Sequence, residues 1–140
     1  MIFVIKTYGG TMTLITWSDA YSVNSAEMDA QHKKLVGMIN DLHDAMKDGH
    51  GKESLGRTLD GLIDYAGMHF ADEEKLMAKV NFAELPAHKL EHEAFVKKAL
   101  KLQADFHSGE VVMSFTVMEF LKDWLLNHIL KVDKKYGANL

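Results

Sequence analysis

The sequence predicts an all-α protein that folds as an up-down-up-down antiparallel four-helix bundle with an N-terminal arm. Three observations support this prediction. The 140-residue chain contains a single proline, Pro86. Its apolar residues form four long runs with helical periodicity. The breaks between these runs are short, so consecutive helices should lie antiparallel to each other.

Composition and charge exclude several classes of protein. With 47% hydrophobic and 26% charged residues, the chain resembles an ordinary soluble domain. The net charge is -4 and the two signs are interspersed, which argues against a nucleic-acid partner or an anionic membrane surface. The absence of cysteine excludes disulfides, thiolate metal sites and cysteine nucleophiles. No apolar run approaches the ~20 residues that span a bilayer, so we expect no membrane insertion and a cytoplasmic location.

The chain is expected to divide into an N-terminal arm or extension, residues 1–22, and a single bundle domain, residues 23–140. The opening MIFVIKTYGG is apolar but short and lacks a basic leader, so a secretory signal is not expected. Met12 is an alternative start, which would make residues 1–11 an upstream extension. Trp17 and Tyr21 are expected to pack the arm over the end of the bundle.

The first two helices are bounded by capping and breaking residues. Asn24 and Ser25 offer an N-cap for a first helix that reaches about Lys47. The segment DGHGKES, residues 48–54, interrupts the pattern with two glycines. A second helix is expected from about Leu55 to Val80.

The third and fourth helices follow two further breaks, NFAELP at 81–86 and HSGE at 107–110. Pro86 suits the first turn of the third helix, where the missing N–H is not needed. This helix is expected to end near Phe106, and the fourth should cover roughly residues 111–132. Helices of about 20–26 residues are ~30–39 Å long, which suits a bundle.

Each helix has an inward-facing stripe whose members alternate in steps of three and four residues, as bundle cores require. The stripes comprise Met28, His32, Leu35, Ile39, Leu42 and Met46; Leu59, Leu62, Ala66, His69, Glu73 and Leu76; His88, His92, Phe95, Ala99, Leu102 and Phe106; and Met118, Leu121, Leu125, His128 and Val132.

Six polar residues interrupt these stripes, namely His32, His69, Glu73, His88, His92 and His128. A buried carboxylate or imidazole costs several kcal/mol, about 2–7, unless it is paired, hydrogen-bonded or bound to metal. In an antiparallel bundle, the start of helix one lies level with the end of helix two, the start of helix three and the end of helix four. All six side chains should therefore meet in one layer, which predicts a metal site.

The other polar residues of interest are expected to lie outside this layer. Periodicity alone does not place Asp133 inside, because it follows His128 by five residues. It would reach the layer only if the helix end frays or tightens, and a solvated terminal acid is an equally good interpretation. The histidines that lie off the stripes are expected to be solvated, namely His43, His50 and His107. The acidic residues that lie off the stripes are expected to be exposed, namely Asp72, Glu74 and Glu91.

The sequence resembles the hemerythrin family, and within it the single-domain bacteriohemerythrins, over nearly all of residues 17–136. The similarity rests on Trp17, YSVNSAEMDAQHKKL, Tyr65 with HFADEEKLM, HKLEH and FLKDWLLNHILKVDKKY. The family motif of a lone His, then HxxxE, HxxxH and HxxxxD, matches throughout. Members often have glycine where this chain has Asn24, and asparagine also tolerates turn conformations.

The resemblance implies a cofactor of two iron ions joined by an oxo or hydroxo bridge, with O2 as the ligand. One iron would be bound by His88, His92 and His128, and the other by His32 and His69, while Glu73 and Asp133 bridge both. The second iron then has one ligand fewer and an open position for O2. Leu35, Leu125 and Trp124 are expected to line the O2 pocket.

The resemblance thus favours reversible O2 binding for storage or delivery over catalysis. An oxygen-consuming enzyme is a candidate recipient, and the oligomeric state is left open. Two alternatives remain: an O2 or redox sensor that acts through a partner, and a peroxidase or nitric-oxide-handling enzyme. The chain offers little length for a sensor's output domain. Glu-x-x-His pairs, which mark carboxylate-rich di-iron enzymes, do not occur in it.

Overall fold

The computed structural model describes the backbone of residues 6–8, 11–13, 15–49, 51–110 and 115–140, without the side chains of 6–8, 11–13, 115, 116 and 130. The described elements are two strands, a 3-10 turn, four main helices, a π-helical turn and a short last helix. In order they are β1 (Lys6–Tyr8), β2 (Thr11–Thr13), the 3-10 turn (Asp19–Tyr21), α1 (Ala26–Lys47), α2 (Lys52–Lys79), α3 (Leu85–Ser108), α4 (Phe115–Asn127), the π turn (His128–Asp133) and α5 (Lys134–Gly137).

The predicted all-α four-helix bundle is confirmed, with one addition. The fourth long helix consists of α4, the π turn and α5 in direct succession. The addition is the antiparallel pair β1 and β2 in the arm, where Lys6 pairs with Thr13 and Tyr8 with Thr11. Three-residue strands leave little periodicity to read in a sequence. Within the described residues, no helix is both long and apolar enough to cross a membrane.

Capping residues fix the helix ends close to the predicted positions. Ser25 caps α1, where its side chain accepts a hydrogen bond from the Met28 N–H at 3.2 Å. Pro86 lies in the first turn of α3, and Gly109 ends that helix with a left-handed φ of 85°. The expected start of the fourth helix at 111 lies outside the described residues. Asn24 adopts φ 62°, and its side-chain amide donates to the Gly137 carbonyl at 3.1 Å.

The described part of the arm docks against α1 and the main core. The Ile15 N–H donates to the Asn40 side chain at 2.9 Å, and the Asn40 amide returns a bond to the Ile15 carbonyl at 2.8 Å. Tyr21 is buried and Trp17 half-buried, with their ring centroids 5.4 Å apart. The division of the chain at residue 22 stays a prediction.

The predicted stripes form the core, except at four positions. Met46, Leu76, Leu102 and Val132 are half-buried, and the other stripe residues are buried. In α2, Met77 is fully buried beside the half-buried Leu76.

The apolar core has two parts with a polar layer between them. The main cluster includes Leu35 of α1 and Phe70 of α2. A smaller cluster near one end of the bundle consists of Val23, Met28, Met77, Phe82 and Tyr136. Along α1, His32 falls between Met28 and Leu35, and along α2, Glu73 falls between Phe70 and Met77. The predicted polar layer therefore separates the two clusters.

The end of the fourth helix corrects one expectation. Instead of fraying or tightening, the helix widens into the π turn over His128–Asp133. A π turn bonds residue i to residue i+5, so residues five apart come to lie on the same side. Asp133 is fully buried as a result, and Val132 is half-buried.

Candidate metal centre

Seven predicted ligand residues meet in one buried layer. They come from α1 (His32), α2 (His69, Glu73), α3 (His88, His92) and the π turn (His128, Asp133). Each is at most 2% exposed. The antiparallel helix order accounts for the meeting of the histidines with Glu73, and the π turn accounts for Asp133.

The seven residues form two groups that share both carboxylates. In each group the potential ligand atoms lie within 4.8 Å of one another. The three-histidine group contains Glu73, His88, His92, His128 and Asp133, and the two-histidine group contains His32, His69, Glu73 and Asp133.

In the three-histidine group the Nε2 atoms point towards one another. The His128 Nε2 lies 2.9 Å from the His92 Nε2 and 3.1 Å from the His88 Nε2. The Asp133 Oδ1 is 2.9 Å from the Nε2 atoms of both His88 and His128. The Glu73 Oε1 is 3.2 Å from the His92 Nε2.

In the two-histidine group the other oxygens of the same carboxylates face the imidazoles. The Glu73 Oε2 lies 2.9 Å from the His32 Nε2 and 3.3 Å from the His69 Nε2. The Asp133 Oδ2 lies 3.1 Å from the His32 Nε2. Each carboxylate therefore offers one oxygen to each group, which is the arrangement of a bridge between two cations.

The donor atoms fit a pair of cations. Among the described residues, no donor forms a hydrogen bond of good geometry with the Glu73 Oε1 or with either Asp133 side-chain oxygen, although these oxygens are buried and imidazole nitrogens lie close to them. Buried polar atoms are normally bonded, and an orphaned carboxylate oxygen needs an explanation. Three imidazole nitrogens that face one another cannot all be satisfied by hydrogen bonds among themselves, because each nitrogen of a neutral imidazole either donates or accepts. Each of them can instead direct a lone pair at a cation. Nitrogen and oxygen ligands in these proportions suit iron, among other divalent metals.

Hydrogen bonds outside the layer fix the orientation of His69. The His69 Nδ1 lies 2.7 Å from the Gln31 Oε1, and the Gln31 Nε2 donates to the Asp72 Oδ2 at 3.0 Å. An ionised Asp72 can only accept, so the amide of Gln31 turns its carbonyl towards His69. The His69 Nδ1 then carries the proton, and its Nε2 lone pair points into the layer.

Glu74 likewise fixes the orientation of His92 by a hydrogen bond from outside the layer. Its Oε2 lies 2.9 Å from the His92 Nδ1, which must donate to the carboxylate. The expectation that Glu74 and Asp72 are exposed is therefore wrong, since both are half-buried and hydrogen-bonded, whereas Glu91 is exposed. The contact between Glu74 and His92 joins α2 to α3, so it does not follow from the spacing of residues within either helix.

Tyr136 is a site residue that the sequence reasoning missed. Its hydroxyl donates to the Glu73 Oε2 at 2.8 Å, and the side chain is fully buried. Burial, and then the nearby Glu73 and Asp133 carboxylates, raise the pKa of this phenol, so it stays a proton donor. The signal was its position three residues after Asp133, one helical turn away.

Charge pairing perturbs the pKa values within the layer when no metal competes. Burial alone would lower the pKa of His32, but the adjacent carboxylates of Asp133 and Glu73 raise it to about 9. Burial likewise opposes charge on His128, yet the field of Asp133 raises its pKa to about 9. Burial would raise the pKa of both carboxyl groups, but the surrounding imidazoles hold the pKa of Glu73 well below its usual range and lower that of Asp133.

Comparison with known proteins identifies the family. The sequence model described as the hemerythrin HHE cation binding domain matches residues 23–140. This chain belongs to the hemerythrin family. Curated relatives agree with this assignment. A bacteriohemerythrin from Methylococcus capsulatus is 45% identical over 130 residues, which cover 92% of this chain and 98% of the relative. A hemerythrin-like protein from Naegleria gruberi is 38% identical over 89% of this chain and 92% of its own length.

Solved hemerythrin structures share the fold. The crystal structure of a wild-type hemerythrin superimposes with a TM-score of 0.86 at 44% identity, covering 91% of this chain and 98% of the other. A leucine-to-alanine variant of a hemerythrin gives a TM-score of 0.87 at 43% identity, covering 92% and 98% of the two chains.

In this hemerythrin domain an apolar cavity occurs among the helices beside the layer. The cavity has a volume of about 20 Å³, and its lining includes the three predicted pocket residues, Leu35, Leu125 and Trp124. The remaining lining residues are Ile39, Leu62, Ile63, Ala66, Phe70, Phe95 and Leu121. Phe70 stacks on the His92 ring at 4.0 Å, and Trp124 on the His128 ring at 4.5 Å, so the cavity wall touches two of the predicted ligands.

The histidines outside the layer differ in burial. His43 was expected to be solvated and is instead buried, with 7% exposure, because it follows the buried Ile39 by four residues and so lies on the same face of α1. His107 is exposed as expected and lies 2.8 Å from the Asp60 carboxylate. His50 lies outside the described residues. Neither His43 nor His107 belongs to the two metal-ligand groups.

Proposed function

We propose that this hemerythrin-family protein binds O2 reversibly at a non-haem di-iron centre and serves in O2 storage or delivery. The observation that carries the proposal is the pair of ligand groups that share the two oxygens of both Glu73 and Asp133. Membership of the hemerythrin family supports iron as the metal and O2 as the ligand.

The proposed ligands divide into terminal and bridging residues. His88, His92 and His128 would hold one iron, and His32 and His69 the other. Glu73 and Asp133 would bridge them. When bound, two ferrous ions would supply the two electrons that O2 takes up and, on the side with one ligand fewer, an open coordination position.

The apolar cavity supports binding of O2 over hydrolysis or proton-coupled chemistry. Its lining consists of aliphatic and aromatic side chains, and of these only Trp124 carries a polar hydrogen. Water enters a cavity of this size only where polar partners hold it. O2 needs no such partners, so the lining favours O2 and keeps water and protons away from the bound ligand.

The hydrogen bonds around the layer support a centre that holds its protons in place. Tyr136 keeps its hydroxyl proton directed at the Glu73 Oε2, and the Nδ1 protons of His69 and His92 are held by Gln31 and Glu74. No described side chain in the cavity lining is a titratable acid or base. Because the cavity lining supplies no proton to bound O2, cleavage of the O–O bond is disfavoured and release of intact O2 is favoured.

Anaerobic reduction followed by O2 addition and removal under vacuum tests this proposal. We expect the visible absorption spectrum of the iron-loaded protein to change on O2 addition and to return on evacuation, through repeated cycles. Elemental analysis should give two irons per chain. O2 uptake without recovery, or rapid saturable turnover of peroxide or nitric oxide, would instead favour an enzyme.

A further inference from the structure

Two of the proposed ligands, His69 and His92, are held by outer partners of different charge. The His92 Nδ1 is 2.9 Å from the Glu74 carboxylate, and the His69 Nδ1 is 2.7 Å from the amide oxygen of Gln31. Both partners accept, so both imidazoles are held in the same tautomer. The two contacts therefore fix the same tautomer and differ in the charge of the acceptor.

An anionic acceptor changes the imidazole more than a neutral one does. Hydrogen bonds to a carboxylate are stronger and draw the shared proton further from the ring. The ring becomes more electron-rich, and its other nitrogen becomes a stronger metal ligand. The carboxylate of Asp72 also acts on His69, but only through Gln31, one residue further away.

We propose that Glu74 is a positioning residue that strengthens His92 as a ligand, while Gln31 leaves His69 weaker. The metal on the three-histidine side would then be held more tightly than the metal beside the open position. This inference rests on the proposed function, since it takes the layer to be a di-iron centre.

The surroundings of His92 separate the effect of charge from that of packing. Phe70 stacks on the His92 ring at 4.0 Å with an interplanar angle of 12°, which fixes the plane of the ring from α2. Glu74 is 26% exposed and lines a surface cleft between α2 and α3. Glu93 lines the same cleft and is exposed. A neutral residue at position 74 should therefore alter the charge next to His92 while Phe70 keeps the ring in place.

Release of ferrous iron to an excess of chelator, under anaerobic conditions, tests the inference on the full-length protein. Glu74→Gln keeps the size of the side chain and an acceptor oxygen but removes the charge. We expect the iron of the three-histidine group to leave about 10–100 times faster than in the parent, because a change in the residue that hydrogen-bonds to a histidine ligand usually has an effect of this size. Glu93→Gln, which removes the same charge from the same cleft, should release both irons at the parent rates.

The mirror substitution gives the opposite expectation on the other side. Gln31→Glu combined with Asp72→Asn gives His69 an anionic acceptor without placing two carboxylates in contact, because the Gln31 amide lies 3.0 Å from the Asp72 carboxylate. This double variant should release the iron of the two-histidine group more slowly than the parent does.

Nuclear magnetic resonance of zinc-loaded protein gives a readout that is independent of iron and O2. The Nδ1–H proton of His92 should resonate at lower frequency in Glu74→Gln than in the parent, because a neutral acceptor weakens the hydrogen bond. The Nδ1–H proton of His69 should not move. If the His92 Nδ1–H proton kept the parent frequency in Glu74→Gln, Glu74 would not act on the ring through its charge, and the positioning role would be wrong.

The outcomes separate this inference from the proposed function. If Glu74→Gln matches Glu93→Gln in both iron release and the His92 resonance, the positioning role is wrong, whatever the protein does with O2. If the variants behave as expected but the parent does not release O2 under vacuum, the proposed function fails and the positioning role stands.

Discussion

At the scale of single residues, Glu73 and Asp133 do most to define the centre. Each carboxylate turns one oxygen to the three-histidine group and the other to the two-histidine group. Their own pKa values are lowered although both are buried, because imidazoles surround them. Stripe periodicity predicts from sequence alone that Glu73 lies in the layer. For Asp133 it leaves two interpretations open, and only the resemblance to the hemerythrin motif predicts a place in the site.

Leu125 lines the cavity and precedes His128 by three residues, so a substitution at this position tests the cavity at the scale of one residue. Leu125→Ala should leave both irons in place and admit water, so that the oxygenated protein autoxidises faster and azide binds faster. Deletion of a buried leucine side chain also costs about 2–5 kcal/mol of stability. Iron content and the decay of the oxygenated protein's absorption give the measurement.

The neighbouring Leu126 offers a matched control. It is fully buried in the core but does not line the cavity. Leu126→Ala should therefore lose similar stability and autoxidise at the parent rate. If Leu125→Ala autoxidised no faster than Leu126→Ala at full iron loading, the dry-cavity argument would fail.

At the scale of elements, the end of the fourth helix is the feature that completes the site. The π turn brings Asp133 onto the same side as His128, and α5 then carries Tyr136 to Glu73. The same segment closes the bundle end, because Gly137 approaches the backbone of Val23 and accepts a hydrogen bond from Asn24. The position of Asp133 in the layer and the closure of the bundle end thus depend on one continuous stretch of chain.

Gly137→Ala tests how closely that stretch must dock. An added Cβ would lie 2.7 Å from the Val23 carbonyl oxygen, closer than such contacts allow, and the obstacle is backbone. We expect a loss of about 1–3 kcal/mol in the free energy of unfolding, by analogy with overpacked cores. Urea unfolding of the metal-free protein measures it without interference from metal binding.

Gly67→Ala is the counterpart within α2. This glycine is exposed, and nothing lies within 4 Å of an added Cβ. Alanine should stabilise the helix by up to about 1 kcal/mol. Equal effects of the two substitutions would show that the contact with Val23 does not constrain the chain end.

At the scale of the whole molecule, we expect the polar layer to link folding to metal binding. It separates the two apolar clusters and contains five imidazoles and two carboxylates that are nearly inaccessible to solvent. Without a cation these groups depend on mutual charge pairing for their burial. Binding free energy at such a site therefore contributes to folding free energy.

Removal of the metal should consequently lower the melting temperature. We expect the chelated protein to melt well below the iron-loaded form, and iron added back anaerobically should restore the higher value. Differential scanning calorimetry on both forms at one pH measures the difference. Equal melting temperatures would contradict the coupling of the layer to the fold.

The pH dependence of the metal-free protein should follow from the raised imidazole pKa values. His32 and His128 have pKa values of about 9 in the fold against the ordinary 6.5. Their contribution to stability is complete below pH 6.5 and is lost as the pH rises through 9. The carboxyl groups, whose pKa values are lowered, contribute above their ordinary values and lose that contribution in acid.

Metal-free protein should therefore be most stable between about pH 4.5 and 6.5, and its urea midpoint should fall from pH 6.5 to 9. The iron-loaded form serves as the comparison, since metal competes with protons for the same nitrogens and gains affinity as the pH rises. The gap between the two midpoints should widen over that interval. A metal-free midpoint that is flat or rising there would show that the imidazoles are not charged in the fold.

The sequence by itself determined the helices and most of the layer, because these depend on local periodicity and on the antiparallel order that short connections impose. His32, His69, Glu73, His88, His92 and His128 all lie where the stripes predict. Only the tertiary structure decided the rest. The burial of Asp133 depends on a π turn, which a fixed helical period cannot represent, and Val132 loses its predicted place for the same reason. The contacts of Gln31, Glu74 and Tyr136 with the predicted ligands join different helices, so their geometry depends on how side chains of packed helices meet, which the periodicity of one helix does not record.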